Sequence, residues 1–186
     1  MGRSPPSQSC RRLAMSEIKI RAAEPADLGA LESLYPLAFP DEDLLPIVRA
    51  LHSMPSDALS LVTVVDSRIV GHVFFSRCRV GDVKAALLGP LAVTPDRQRE
   101  GLGSALVNAG LDRMKEEGIR VVCVLGDPAY YRRFGFRPDA RIQPPYRLPE
   151  EWNEAWQSKC LGDAEAPCAG RLEVPAPWMN EALWLP

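Results

Sequence analysis

Metal-ligating side chains are scarce in this 186-residue chain. It has two histidines, His52 and His72, neither with an acidic or cysteine partner at ligand spacing, so no metal site is expected. Its five cysteines (Cys10, Cys78, Cys123, Cys160 and Cys168) form no Cys-x-x-Cys pair. An odd, dispersed set speaks against a disulfide framework and against a zinc ribbon. Positive charge is not in excess: 22 Lys and Arg stand against 24 Asp and Glu, a formal net charge of −2. The electrostatic footprint of a nucleic-acid binder is therefore absent. No run of ~18 apolar residues occurs, so neither a transmembrane helix nor a membrane partner is expected.

Hydrophobic residues make up 46% and charged residues 25%, an ordinary globular composition for a cytoplasmic protein of one domain. Residues 1–14 carry three Arg, no acid and the run Ser4-Pro5-Pro6-Ser7. That segment lacks the apolar stretch of a signal peptide. Pro6 breaks the myristoylation pattern that Gly2 would begin. It reads as a disordered arm, with Met15 an alternative natural start. Residues 15–186 read as the single domain, with a patterned part over 16–138 and a Pro- and Trp-rich part over 139–186.

Ile18 and Ile20 alternate with polar residues and predict a strand. Glu24-Pro25 reads as a helix entry, followed by Leu28, Leu31, Leu34, Tyr35 and Ala38 at helical spacing. A second helix is expected from about Asp41, with Leu44, Ile47, Val48 and Leu51 on one face and Pro46 in its first turn. Leu59–Val65, Ile69–Val80 and Val83–Val93 read as strands joined by Asp66-Ser67 and Gly81-Asp82. Two-residue polar turns between apolar runs predict antiparallel hairpins. A helix from Leu102 stops at Gly118, Val121–Leu125 reads as a buried strand, and Pro128–Phe134 as a short helix before a strand from Phe136. In the tail, Leu172 and Val174 suggest one more strand. The order predicts a mixed sheet with helices on its faces, an α+β or α/β arrangement.

The segment from Pro95 to Leu106 leaves a strand and enters a helix, carrying Gln98-x-x-Gly101-x-Gly103. Helix starts hold unpaired N–H groups and partial positive charge, which suit a phosphate. No Gly-Lys-Ser/Thr follows, as a P-loop requires, and no third Gly completes a dinucleotide fingerprint. Its other reading is a Gly-rich helix start that binds nothing. Upstream, Gly89-Pro90 interrupts the otherwise apolar run Leu87–Val93. Proline cannot donate to a ladder, so this strand should break at its middle and part from Val121–Leu125. An extended amide-bearing ligand can pair with the backbone in such a gap. Pyrophosphate at the helix start and an amide arm in the gap describe coenzyme A.

With Leu88-Gly89-Pro90-Leu91-Ala92-Val93, Gln98-x-x-Gly101-x-Gly103 and Tyr130-Tyr131-Arg132-Arg133-Phe134-Gly135-Phe136, residues 16–138 resemble the GNAT superfamily of N-acetyltransferases. The resemblance implies an α+β fold with a largely antiparallel central sheet flanked by helices. It also implies acetyl-CoA as donor, direct transfer to an amine in a ternary complex, and no metal. On it, backbone groups of Leu91, Ala92 and Val93 hold the pantetheine arm. Gln98, Arg99, Glu100, Gly101, Leu102, Gly103 and Ser104 form the pyrophosphate loop, and Tyr131 falls beside the thioester sulfur as general acid.

Tyr131 is otherwise a packing residue, and Tyr130 is the fallback acid. The family often places a glutamate on the splayed strand, yet Ala85–Val93 contains no acid. The general base is left among Asp41, Glu42, Asp43, His72 and water. Cys123, in an apolar strand, reads as a core thiol. The four tryptophans of the tail (Trp152, Trp156, Trp178, Trp184) serve as a pocket wall, a homodimer contact or packing. The acceptor, a small molecule or a protein amine, has no signature. A non-catalytic acyl-CoA-binding module is the competing function.

Overall fold

The computed structural model describes residues 18–162 and 168–185. The expected arm, residues 1–14, lies outside them. The chain opens with β1 (Ile18–Ala22), α1 (Leu28–Ala38) and α2 (Leu45–His52). Next come β2 (Ala58–Val65), β3 (Arg68–Val80) and β4 (Val83–Val93), within a residue of the expected bounds. Asp66 and Ser67 both take positive φ, the turn geometry that matches the right-handed twist of a hairpin. Then follow α3 (Leu102–Glu116), β5 (Val121–Leu125), α4 (Pro128–Tyr131), β6 (Arg137–Pro138) and β7 (Ile142–Gln143). Last come β8 (Trp156–Cys160) and β9 (Gly170–Arg171).

Seven strands form one sheet in the order β1-β2-β3-β4-β5-β8-β6, and β7 pairs with β9 apart from it. Every neighbouring pair in the large sheet is antiparallel except β4–β5, the two strands joined through α3. This is the mixed, mostly antiparallel sheet the sequence predicts. Alternation along the strands divides the core. Phe74, Leu87 and Cys123 face α1, α2 and the Trp-rich tail. Val73, Phe75, Ala86 and Val122 face α3.

Three expectations are corrected. The second helix begins at Leu45, not near Asp41. A start at Asp41 would put Pro46 beyond the first turn, where it lacks an N–H and clashes with the preceding turn. The strand expected at Leu172 and Val174 lies just upstream at Gly170–Arg171, while Leu172 itself is buried. The strand expected from Phe136 starts at Arg137, and its Pro138 is tolerated because β6 is the edge of the sheet. Strand β8 was not expected at all.

The α3 face is fitted closely to the sheet. A Cβ on Gly110 would lie 2.0 Å from Cε2 of Phe75, so only a glycine lets that ring reach the helix backbone. Replacing a mid-helix Gly by Ala ordinarily gains ~0.5–1 kcal/mol. Here overpacking reverses the sign, at a cost of ~1–3 kcal/mol. Urea unfolding of Gly110→Ala should show that loss, and adding Phe75→Leu should recover part of it; a stabilised single variant would refute the fit.

Candidate functional site

Strand β4 stays paired with β5 from Ala85 opposite Val121 to Leu88 opposite Val124, and no further. It nevertheless continues along β3 to Val93. Between these stretches its register slips: Leu88 faces Phe75 but Leu91 faces Val73, so Gly89 and Pro90 stand opposite Phe74 alone. This is the break expected from Gly89-Pro90. Gly89 holds φ +131°, a region that L side chains rarely enter. Tyr35 supports the bulge from α1, donating its hydroxyl to the Pro90 carbonyl at 3.2 Å. Where β5 leaves, a cleft of about 390 Å³ opens, bounded by Gly89, Leu91, Leu125, Gly126 and Tyr131.

The loop after β4 is shaped by its own side chains. Gln98 donates its side-chain amide to the Val93 carbonyl at 3.2 Å, and Arg97 pairs with Glu100 at 2.8 Å. Gln98 and Glu100 thus hold the loop rather than project from it. Arg99 and Gly101 take the left-handed conformation, with φ of 66° and 83°. Gly101 stands at the N-cap with no capping side chain, so α3 opens with its first N–H groups uncapped. Leu102 is buried beside Val65 and Val70 and anchors that turn. Ala92 is 1% exposed and packs on the α1 side, so it can offer a ligand only its backbone. A Cβ on Gly103 would sit 2.8 Å from the Tyr130 hydroxyl.

Helix α4 follows β5 directly. Asp127 caps it by accepting the Ala129 N–H at 2.8 Å, and Pro128 occupies its first turn. Its neighbouring tyrosines diverge, with rings at 84° to one another. Tyr130 is half-buried, and its hydroxyl lies at the α3 start, against the Cβ position of Gly103. Tyr131 lines the cleft, its ring lying where a Cβ on Gly126 would come within 2.5 Å. Burial pushes the Tyr131 phenol well above the ordinary tyrosine range and raises Tyr130 as well.

The four candidate bases fare differently. Glu42 lines the cleft. Asp41 and Asp43 do not line it; with Glu42 they line a smaller cavity beside Tyr35, and Asp43 also lines a neighbouring groove. His72 is fully buried between the Tyr35 hydroxyl at 2.7 Å and the Ser60 hydroxyl at 2.8 Å. One set of protons satisfies all of them. Tyr35 donates to Pro90, His72 Nδ1–H donates to Tyr35, and Ser60 donates to His72 Nε2. Burial lowers the His72 pKa to about 3. It is therefore a neutral brace behind the bulge, and it leaves the set of bases.

Sequence reasoning did not place Tyr35 or Asp127 at the site, and it left Trp178 and Trp184 among pocket wall, homodimer contact and packing. For the tryptophans the Trp-rich tail was a signal. Trp178 donates its indole N–H to Ser76 at 2.8 Å and Trp184 donates to the Trp178 carbonyl at 2.9 Å. Both are packed and both line the cleft. Nothing in the pattern distinguished Tyr35 from a core residue of α1.

Residues 28–136 match a family model described as acetyltransferase (GNAT) family. The uncharacterized N-acetyltransferase YjhQ of Escherichia coli K12 is 34% identical over 133 residues, 68% of this chain and 74% of its own. A solved structure of E. coli YhbS, a GNAT family N-acetyltransferase in complex with CoA, superposes with a TM-score of 0.77. It is 28% identical and the match covers 96% of this chain and 97% of that one. A GNAT family acetyltransferase from Brucella melitensis in complex with acetyl-CoA gives a TM-score of 0.70 at 30% identity, over 87% and 98%.

The His72 brace fixes a pH dependence. Its folded pKa of about 3 lies below the ordinary ~6.5, so the unfolded chain takes up the proton first as pH falls. Its contribution is complete above ~pH 6.5 and is lost progressively down to ~pH 3. Between about pH 6.5 and 4.5 the loss should be roughly 2–3 kcal/mol. The urea midpoint of the parent should fall more over that interval than that of His72→Gln, whose other titrating groups are the same. Equal falls would show that His72 does not titrate as its burial requires.

Proposed function

The chain belongs to the GNAT family of acetyltransferases, and on that premise we propose that it transfers the acetyl group of acetyl-CoA directly to an amine within a ternary complex. The observation that carries this is a junction: the parted edge of β4 and the Tyr131 phenol bound one cleft, and the uncapped start of α3 lies next to it, with the Cβ position of Gly103 3.9 Å from the cleft-lining Leu91. The residues present fit the donor. Gly101 and Gly103 leave the α3 start free of side chains, and Gly89 and Pro90 end the ladder where an amide arm needs a partner.

When bound, acetyl-CoA supplies a thioester carbon open to attack. N–H groups from Arg99 to Ser104 would hold the pyrophosphate, and backbone groups of Leu91, Ala92 and Val93 the pantetheine amides. A backbone N–H at the bulge can polarise the acetyl carbonyl, an effect worth ~3–4 kcal/mol per donor in other enzymes. Tyr131 holds its proton for the departing sulfur. A phenol whose pKa is raised by burial stays protonated at neutral pH, the state a donor needs. Its place in the cleft favours a catalyst over a passive acyl-CoA-binding module. The same reading puts the protein in the cytoplasm, in keeping with its free cysteines Cys78, Cys123, Cys160 and Cys168.

Two measurements test this reading. Acetyl-CoA at ~100-fold above its Kd adds ~2.7 kcal/mol, so the melting temperature should rise by roughly 5–10 °C. Gly103→Asp should remove the shift by setting a carboxylate beside the α3 start; an undiminished shift would move the cofactor elsewhere. With a working amine, Tyr131→Phe should lower kcat by ~10²-fold and change the KM for acetyl-CoA little. Tyr130→Phe should be milder in kcat, because its hydroxyl lies at the α3 start and Tyr130 does not line the cleft. The reverse ranking would transfer the acid role to Tyr130.

A further inference from the structure

Resting on the acyl-transfer reading, we infer that the acceptor is a primary amine carried on an aromatic or long aliphatic body with no acidic group of its own. The cleft at Tyr131 is continued by a groove of about 650 Å³ that shares Glu42, Leu44, Ile47 and Leu183 with it. Among the described residues, neither cavity is lined by Lys, Arg or His. An acceptor carrying a carboxylate or phosphate would meet no counter-charge there, and would face Glu42, Asp43 and Asp127.

Those three acids are not equivalent. Asp127 caps α4, and Asp43 accepts the Leu45 N–H at 3.3 Å. Glu42 has no side-chain hydrogen bond or ion pair among the described residues, and it stands where cleft and groove join. Its carboxylate is free to take an ammonium group. Beyond Glu42 and Asp43 the walls are Pro46, Ala50, Trp152, Pro177, Asn180, Ala182 and Leu185, and the Asn180 side-chain oxygen already accepts the Ala182 N–H at 3.2 Å. A peptide laid along them would lose water from its amides and find few partners, since Asn180 is the one polar side chain among these seven and two of them are prolines. A hydrocarbon or aromatic body loses nothing there and gains by burial. In the reaction the docked ammonium first gives one proton to solvent, and the free amine nitrogen then bonds to the acetyl carbon as the carbon–sulfur bond breaks. The sulfur takes the Tyr131 proton, and the nitrogen gives its own to Glu42 or water, from which the tyrosine is restored.

The test compares 2-phenylethylamine with phenylalanine, which adds a carboxylate to the same body, with an aminosugar, and with a phenylalanine-led peptide amide. Binding is read from Trp fluorescence, since Trp152, Trp178 and Trp184 line the cavities, and turnover from release of the CoA thiol. Phenylethylamine should be preferred over phenylalanine by roughly tenfold or more in kcat/KM. Glu42→Gln should raise the KM for phenylethylamine by about five- to tenfold. The melting shift given by acetyl-CoA should survive that change. Preference for the amino acid, the aminosugar or the peptide, or an unchanged KM in Glu42→Gln, would overturn the assignment while leaving acyl transfer intact. Loss of the acetyl-CoA melting shift in the parent would instead refute the acyl-transfer reading, and fluorescence titration with phenylethylamine would still report on the groove.

Discussion

Parallel strands are held by an evenly spaced ladder, and the β4–β5 pair loses its ladder after Leu88 and Val124. Each feature of the site depends on that loss. If the strands stayed paired to Val93, their backbone groups would satisfy one another and no edge would remain for an amide-bearing ligand. Pro90 prevents it by having no N–H, and Gly89 by a backbone conformation outside the strand range. Once β5 turns away, Gly126 and α4 follow it, and Tyr131 comes to rest on the wall of the opening.

An interrupted strand inside a core has a cost, because peptide groups freed from a ladder must find partners. The side of the sheet away from α3 meets part of it. Tyr35 reaches from α1 to the Pro90 carbonyl, His72 holds Tyr35, and Ser60 on β2 holds His72. The chain of hydrogen bonds thus crosses three neighbouring strands beneath the bulge. A histidine at that depth is tolerable only while neutral, so bracing the bulge and accepting a proton from substrate exclude one another.

Much of this was legible in the chain, for physical reasons that differ by segment. The β2–β3–β4 meander carries strand periodicity and two-residue turns, which are local signals, and its bounds came out almost as read. The broken strand and the glycine-led helix start were legible because Pro and Gly act on the backbone wherever they occur. Strand β8 was not. Trp-Gln-Ser-Lys-Cys has no apolar alternation, yet Gln157 and Ser158 are buried. Their partners come from far along the chain: Ser158 donates to Asp139 at 2.7 Å, and Gln157 donates to the Gly126 carbonyl at 3.2 Å. A polar strand becomes a buried one only through such distant contacts, which spacing cannot show. The same holds for Glu42, whose place on the cleft follows from α2 starting late at Leu45.

The two sides of the cleft differ in their surroundings. On the β5 side, burial raises the Tyr131 phenol above the ordinary tyrosine range, so it keeps its proton at neutral pH and is a weaker acid than a free tyrosine. On the α2 side, Glu42 is solvent-exposed and has no side-chain hydrogen bond or ion pair among the described residues. The parting of β4 and β5 opens the cleft that Tyr131 lines after β5 and Glu42 lines before α2, so two elements far apart in the chain share one opening.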